Sequence, residues 1–453
     1  MAEPTQRTPA ASGLVRSLDY ERQGTASYAR WFAQMKANGM NWGRVWMSPW
    51  WCGIEWKREW DGYGGLNVYA QAAAARLDRV LELARTNRVY IQLELQNHGM
   101  TSRRVDPQWD DNPYNKANGG PCATDVEFFS SDEAWTAYAK RLRYVLARWG
   151  WNSHLAAIVL SSEMEFTGAW TDAFRDQDAG HNPVAAAWVK RNIDWFAAND
   201  PQRRPISIHF SHPWRAAQLW RESAVAFSNS NAYTGFQGFG RLGGERGTDR
   251  GGLPIALLTY LGEHFPPDKL KRPTLLGEWG GHWETNPASV LAAELRTGVW
   301  MQAVLPFSGN TGFWWWLWVD AAGHWSDYAP IAAFTAGEDP RGAGYQIHRP
   351  VVPDSRGVTV VGMRNAKEHR YYAVISAATK NPGVAVVDDA GPARVVTDQP
   401  GSKWQVERWN CTTGKAEATI DLVSDDQGIL TLPLGRLAPD AAFKLHRTAA
   451  GPH

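Results

Sequence analysis

"VYAQAAAARLDRVLELARTNRVYIQLEL", residues 68–95, reads as one helix followed by one buried strand, and this unit sets the fold. Leu77, Val80, Leu81 and Ala84 recur at helical spacing, which makes the first part an amphipathic helix with a single apolar stripe. "VYIQLEL" (89–95) then turns apolar and β-branched and reads as a strand. The same alternation continues in both directions. Upstream lie the helix "SYARWFAQMKANG", closed by Gly39, and the strand "NWGRVWM" (41–47). Downstream come the helix "DEAWTAYAKRLRYVLARWG" and strand "LAAIVLS" (155–161), a helix near 183–198 and strand "PISIHF" (205–210). A short helix from Pro213, strand "VAFSN" (225–229), a helix near 253–263 and strand "TLLG" (274–277) follow, then a helix near 287–298 and strand "TGFWWWLW" (311–318).

Short apolar strands alternating with helices imply parallel βα units. A closed barrel needs eight strands, and "LVRSL" (14–18) is the candidate for the first. An open doubly wound sheet is the competing architecture, but it would carry a glycine fingerprint after its first strand, and none is present. The expected class is therefore α/β, with a TIM (β/α)8 barrel over residues 14–340. After residue 345 helical periodicity stops. "GVTVVGMR", "YYAVISA", "KWQVERWN", "EATIDLV" and "AFKLHR" alternate or run apolar between turn signals, as in a small antiparallel β-sandwich, placed at 350–448.

The 453 residues carry 47 Lys and Arg against 46 Asp and Glu, so no global field recruits nucleic acid or an anionic membrane. The 26 Trp exceed ordinary core use, and a flat apolar ring with a polar edge suits a sugar face, so some should line a site. Trp50, Trp51, Trp56 and Trp109 are candidates for stacking. Cys52, Cys122 and Cys411 sit at no metal-ligand spacing and are expected to be reduced thiols; no cofactor or metal is implied. No window approaches a membrane span, and "MAEPTQRTPAASG" lacks the apolar core of a signal peptide. The chain as written thus reads as cytoplasmic, or as secreted if its start is truncated. Nothing in the sequence fixes the oligomeric state.

In a βα barrel the loops leaving the C-terminal strand ends converge on one face, where functional groups collect. Glu278 follows "TLL", and Glu163 follows "AAIVLSS". Two buried carboxylates cost several kcal/mol unless paired or used. Two glutamates in one mouth are the equipment for cleaving a glycosidic bond, one as nucleophile and the other as proton donor and later base. Retention sets them about 5 to 5.5 Å apart, inversion about 6.5 to 9.5 Å. Glu165 is a rival to Glu163, because on an extended segment the two point the same way. The bland alternative for Glu278 is a structural ion pair with Arg44.

"GMNWGRVWMSPWW", "LELQNHG", "WDDNPYNKANGG", "EFF", "RLRYVLARWG", "SSEMEF", "LLGEWGG" and "FWWWLW" occur in the order seen in cellulase-like barrels. Over roughly residues 24–325 the chain resembles the retaining clan that includes glycoside hydrolase family 5, and its tail resembles the C-terminal sandwich of those proteins. The resemblance implies Glu278 as nucleophile, Glu163 as acid/base and Arg44 holding the nucleophile. It also implies Asn97 and His98 lining the −1 sugar subsite, Tyr233 donating to the nucleophile and Trp316 as an aromatic floor. Three departures stand out, the first being that the first strand and the N-terminal sandwich common in those proteins are missing or very short here. Ser162 occupies the usual place of an asparagine that contacts the sugar 2-hydroxyl, and Asn231 the usual place of a histidine. Strand alternation in "FWWWLW" puts Trp314 and Trp316 on one face and Trp315 on the other.

These observations support a retaining hydrolase of β-linked poly- or oligosaccharide, glucan- or mannan-type, with carbohydrate as its partner. Loops 96–131 and 235–252 would shape its cleft. A carbohydrate-binding barrel that has lost turnover is the alternative, motivated by Ser162, Asn231 and the weak signal for a first strand. The C-terminal sandwich is read as a cap whose core includes Trp404 and Trp409.

Overall fold

The computed structural model describes residues 24–448 except 50–51, 57–62, 171–178, 234–261, 263, 281–287, 310, 339–343, 349, 353–356 and 378–384. The expected first strand (14–18), Trp50, Trp51, Gly281 and loop 235–252 lie outside these residues, as does nearly all of the expected helix at 253–263.

The quoted unit folds as a helix, Gln71–Asn87, and a strand, Tyr90–Glu94. Arg88 closes that helix in the left-handed region, and Ala73, Ala74, Leu77, Val80, Leu81, Leu83 and Ala84 form its buried stripe. The parallel strands are β1 (Trp42–Trp46), β2 (Tyr90–Glu94), β3 (Leu155–Val159), β4 (Ile206–Ser207), β5 (His209–Phe210), β6 (Ser228–Tyr233) and β7 (Thr274–Gly280). β4 pairs with β3 and β5 with β6, so the single run "PISIHF" joins an arc β1-β2-β3-β4 to an arc β5-β6-β7. β6 starts at Ser228, three residues later than the apolar run "VAF" suggests.

"TGFWWWLW" departs from its reading as a strand. Residues 311–315 are not a regular strand, and Trp316 opens the helix Trp316–Ala322. The segment still runs beside β7: Ser308 N–H donates to Thr274 O at 2.8 Å and Trp314 N–H to Trp279 O at 3.0 Å. It occupies the eighth barrel position, but period-2 alternation does not extend through Trp316.

Inward residues change character from bottom to top. Ala157, Val159 and Phe227, with Trp42 and Leu275 packed on them, make an apolar floor. Above it the same strand faces present Arg44, Glu94, His209, Asn231 and Glu278, all buried. The apolar layer holds the strand ends rigid and the polar layer uses that rigidity.

Beyond the barrel, β8 (Gln346–Ile347), β9 (Thr359–Asn365), β10 (Arg370–Ser376), β12 (Lys403–Asn410), β13 (Lys415–Val423) and β15 (Asp440–Arg447) form an antiparallel sheet ordered β13-β12-β15-β10-β9-β8. β11 (Pro392–Val396) and β14 (Ile429–Pro433) pair separately and close a core around Trp404, Val406, Leu430 and Leu432. The chain is thus a (β/α)8 barrel followed by a β-sandwich. Plain alternation along β12 puts Trp409 on the face opposite Trp404 and Val406, where it meets Phe334 of the barrel at 5.5 Å. Trp404 is sandwich core, then, while Trp409 belongs to the contact with the barrel. Cys52, Cys122 and Cys411 are buried free thiols. No described helix is long and apolar enough to cross a membrane.

At that contact Lys444 Nζ lies 2.5 Å from Glu338 Oε1, Tyr372 donates to Glu338 Oε2 at 2.8 Å, and His446 Nε2 is 3.1 Å away. Burial alone would raise Glu338, but His446, Lys444 and Tyr372 hold it down at about 2. A depressed carboxyl stabilises the fold above its unfolded value, and that contribution fades as pH falls towards the folded one. Glu338→Gln is therefore expected to flatten the loss of stability below pH 4.5, read from urea midpoints at pH 7 and pH 3. An unchanged loss would remove Glu338 from the acid response.

Candidate active site

The sequence puts Glu278 in line with the strand, where plain alternation from Leu275 would turn it outward. A bulge re-aims it. The register moves from Ser230↔Leu276 to Asn231↔Glu278, leaving Gly277 as the extra residue. A Cβ at Gly277 would stand 2.7 Å from Asn229 Oδ1 and 2.8 Å from His209 Nε2, so only glycine permits the bulge. Glu278 therefore faces the interior while Trp279 turns away, donating to Thr311 O at 2.9 Å.

Arg44 is the hub. Its Nε and Nη2 form a two-pronged contact with Glu94, and its Nη1 donates to Glu278 Oε1 at 2.5 Å. Tyr233 donates to the other oxygen of Glu278 at 2.9 Å. The planar Arg44 guanidinium also lies over Trp46, 4.6 Å from its ring centre. Glu94 was not singled out from the sequence. It reads there as one polar residue in "VYIQLEL", and the usable signal is that a charge inside a buried strand requires a partner such as Arg44.

Glu163 sits just past β3 with φ at 40°, a left-handed backbone that only a well-supported glutamate sustains. Three neighbours supply the support. Its N–H donates to His209 Nδ1 at 3.1 Å, Asn231 Nδ2 donates to its Oε1 at 3.0 Å, and His98 Nδ1 lies 3.1 Å from its Oε2. His209 Nε2 is 2.6 Å from Asn231 Oδ1. With Nδ1 accepting, the ring carries its proton on Nε2 and donates to Asn231, which turns the amide –NH2 towards Glu163. Burial and Arg44 push His209 down to about 3, consistent with a neutral ring. His209 is a second residue the sequence reading missed, hidden in "PISIHF".

The other candidates are placed as follows. Glu165 does not run parallel to Glu163; the turn Met164–Phe166 swings it away, and its Oε1 accepts from His212 N–H at 2.8 Å and lies 3.0 Å from His212 Nδ1. Ser162 is fully buried and its Oγ accepts the His98 N–H at 3.3 Å. Asn97 caps the turn His98–Thr101, its Oδ1 accepting from Met100 N–H at 3.3 Å. Trp316 is buried edge-on against Trp31 at the head of its helix. Trp314 is half-buried, edge-on to Tyr233 at 6.4 Å and beside Trp46 at 6.3 Å. Trp56 and Trp109 are core residues, 3% and 1% exposed, which removes them as stacking platforms.

Asn231 and Tyr233 are alternate residues of β6, on one face. One reaches Glu163 and the other Glu278, so a single strand orients both carboxylates. Burial and the negative charge of Glu163 push Glu278 up to about 7 against the pull of Arg44 and Tyr233. Burial would also raise Glu163, but His98 overrides it and leaves Glu163 at about 2. Among the described residues no group of three or more His, Cys, Asp or Glu is placed to hold a metal.

No sequence-family model matches the chain, and no curated protein is similar to it in sequence. Solved structures are similar in fold. A glycoside hydrolase aligns over 94% of this chain and 90% of its own at 12% identity and a TM-score of 0.53. A glycoside hydrolase family 5 protein from Bacteroides vulgatus aligns over 94% and 87% at 10% identity, TM-score 0.54. A putative glycoside hydrolase from the same organism aligns over 98% and 79% at 11% identity, TM-score 0.52. The strand order and these likenesses agree on one architecture, a (β/α)8 barrel followed by a sandwich, as in the glycoside hydrolases to which the chain is similar in fold.

Proposed function

We propose that the chain is a retaining glycoside hydrolase acting on a β-linked poly- or oligosaccharide of glucan or mannan type. The observation that carries this reading is the holding of Glu278 by Arg44 and Tyr233, with Glu163 oriented from the same strand. A carboxylate with a donor on each oxygen is aimed, and both donors oppose the burial that raises it, as a nucleophile requires. Glu278 attacks the anomeric carbon while Glu163 protonates the departing oxygen. Glu163 then draws a proton from water, which displaces Glu278. The chemistry needs two carboxylates and no cofactor.

Trp314, rather than Trp316, supplies the aromatic face under the sugar, because it is the half-buried ring beside Tyr233. The departures in sequence acquire a physical reading. Asn231 performs the donation to Glu163 that a histidine would, with its amide oriented by His209. Ser162 is occupied by the backbone of His98, so the sugar 2-hydroxyl is met by another group or by water.

One observation favours the alternative of a binding protein without turnover: His98 Nδ1 lies 3.1 Å from Glu163 Oε2, and a charged ring there holds the carboxyl below the usual carboxylate range, which disfavours the protonated form that a leaving group needs. Incubation with 2-deoxy-2-fluoro glycosyl fluorides of glucose, mannose and galactose, followed by intact mass and peptide mapping, separates the two. A stable adduct on Glu278 is the expected result and reports the sugar as well. No adduct with any of the three, together with measurable oligosaccharide binding, favours the binder.

A further inference from the structure

With an imidazole against its carboxylate, Glu163 raises the question of where a general acid at this position obtains its proton. His98 Nδ1 is buried and lies 3.1 Å from Glu163 Oε2. Its other nitrogen, Nε2, lies 3.1 Å from Asp106 Oδ2. The ring is 8% exposed, Glu163 is 15% exposed and Asp106 is 71% exposed, so the three groups form a file from solvent to the cleft. Phe166 packs edge-on against the imidazole at 5.7 Å, and the Ser162 hydroxyl holds the His98 backbone, which fixes where the ring points.

Resting on the glycosidase reading above, we propose that the Asp106–His98 pair stores the proton that Glu163 delivers to the leaving group. The resting site is an imidazolium beside a carboxylate. Bound sugar displaces water from the partly exposed Glu163, which destabilises the charged pair relative to the neutral one; the Nδ1–H bond of His98 then breaks and an Oε2–H bond forms on Glu163, leaving a neutral ring and a neutral acid. Glu163 passes that proton to the glycosidic oxygen as the C–O bond breaks and its electron pair goes to that oxygen. When Glu163 takes a proton from the attacking water, the proton returns to Nδ1. Over a turnover one proton leaves on the departing oxygen and one enters from the attacking water, so the file returns to its starting charge. The transfer also removes the negative charge of Glu163, one of the causes that raise Glu278, so arming the acid assists ionisation of the nucleophile.

The titratable groups around His98 are Asp106 on its own loop, Glu163 on the loop after β3 and, behind Glu163, His209 on β5. Burial lowers His98, yet its contacts with Asp106 and Glu163 carry it up to about 10. The pair is thus charged at neutral pH, and the acid function is lost only when His98 gives up its proton to solvent.

Two measurements on the full chain test this. In the first, the His98 ring is titrated by NMR in the wild type, Asp106→Asn and Glu163→Gln, without substrate. The expected result is a wild-type ring that stays protonated well above the ordinary histidine range and titrates lower in both variants. In the second, kcat/KM is measured against pH for wild type and Asp106→Asn. The alkaline limb is expected to move down by about one pH unit in the variant with the acid limb unmoved, the shift due to loss of one charged neighbour. A wild-type ring titrating near 6.5, or an alkaline limb identical in Asp106→Asn, overturns the proposal. A high-titrating ring in a protein that hydrolyses no glycoside overturns the glycosidase reading and leaves the proton-holding pair intact. Circular dichroism and melting of Asp106→Asn separate a shifted limb from a misfolded variant.

Discussion

Glu278→Gln is expected to lower kcat with a natural glycoside by about 10⁴-fold or more while leaving the fold and substrate binding in place, because it deletes the attacking group rather than a contact. The amide is nearly isosteric, and Tyr233 and Arg44 keep one oxygen to donate to. Its other end is an –NH2 facing a donor, which costs a local hydrogen bond. The global stability change is therefore small beside the kinetic one. The variant must also lose the 2-fluoro sugar adduct, since the carboxylate oxygen that would carry it is gone. A residual kcat within tenfold of wild type, or an adduct that persists on another residue, removes Glu278 from the nucleophile role. A second consequence separates a catalytic Glu278 from a merely structural ion-pair partner of Arg44. Glu94 alone already gives Arg44 a two-pronged contact, so the arginine stays paired in the variant. The large effect should then appear in kcat and not in the melting temperature.

The fold was legible because periodicity survives burial. "VYIQLEL" and "LAAIVLS" show a strand after a helix whether or not any contact is known, and the change of texture after residue 345 shows a different kind of sheet. Failures occurred where tertiary geometry replaces periodicity. "FWWWLW" has the composition of a strand, but only its first part follows β7, and Trp316 turns into a helix that packs on Trp31. The two central carboxylates were legible because a charge directly after a buried run is rare without use. Arg44 and Tyr233 were placed by resemblance. Glu94 and His209 were missed because each is one polar letter inside a strand, and inward orientation is known only once the sheet closes. The Gly277 bulge was out of reach altogether. Local sequence records a glycine, while the reason for it is Asn229 and His209 standing across the gap.

Glu163→Gln is expected to cut kcat/KM for an unactivated oligosaccharide by about 10²- to 10⁴-fold, the usual contribution of a positioned acid and base. The loss should depend on the leaving group. An aryl glycoside with an acidic phenol departs without help, so its first step survives and only deglycosylation slows; the covalent intermediate then accumulates and KM falls with kcat. In Glu163→Ala, azide enters the vacated space, needs no base and should restore turnover as a glycosyl azide of retained configuration. The pH profile carries an independent signature. The charge of Glu163 is one of the causes that hold Glu278 up at about 7, after burial itself. Removing that charge lowers Glu278, so the nucleophile is ionised at lower pH and the acid limb moves down, as measured on the aryl substrate. Glu165→Gln supplies the control: its carboxylate is engaged by His212, and the variant should show neither leaving-group dependence nor azide rescue. If Glu165→Gln shows both and Glu163→Gln neither, the acid is Glu165, and the Asp106–His98 pair has no catalytic carboxylate to serve.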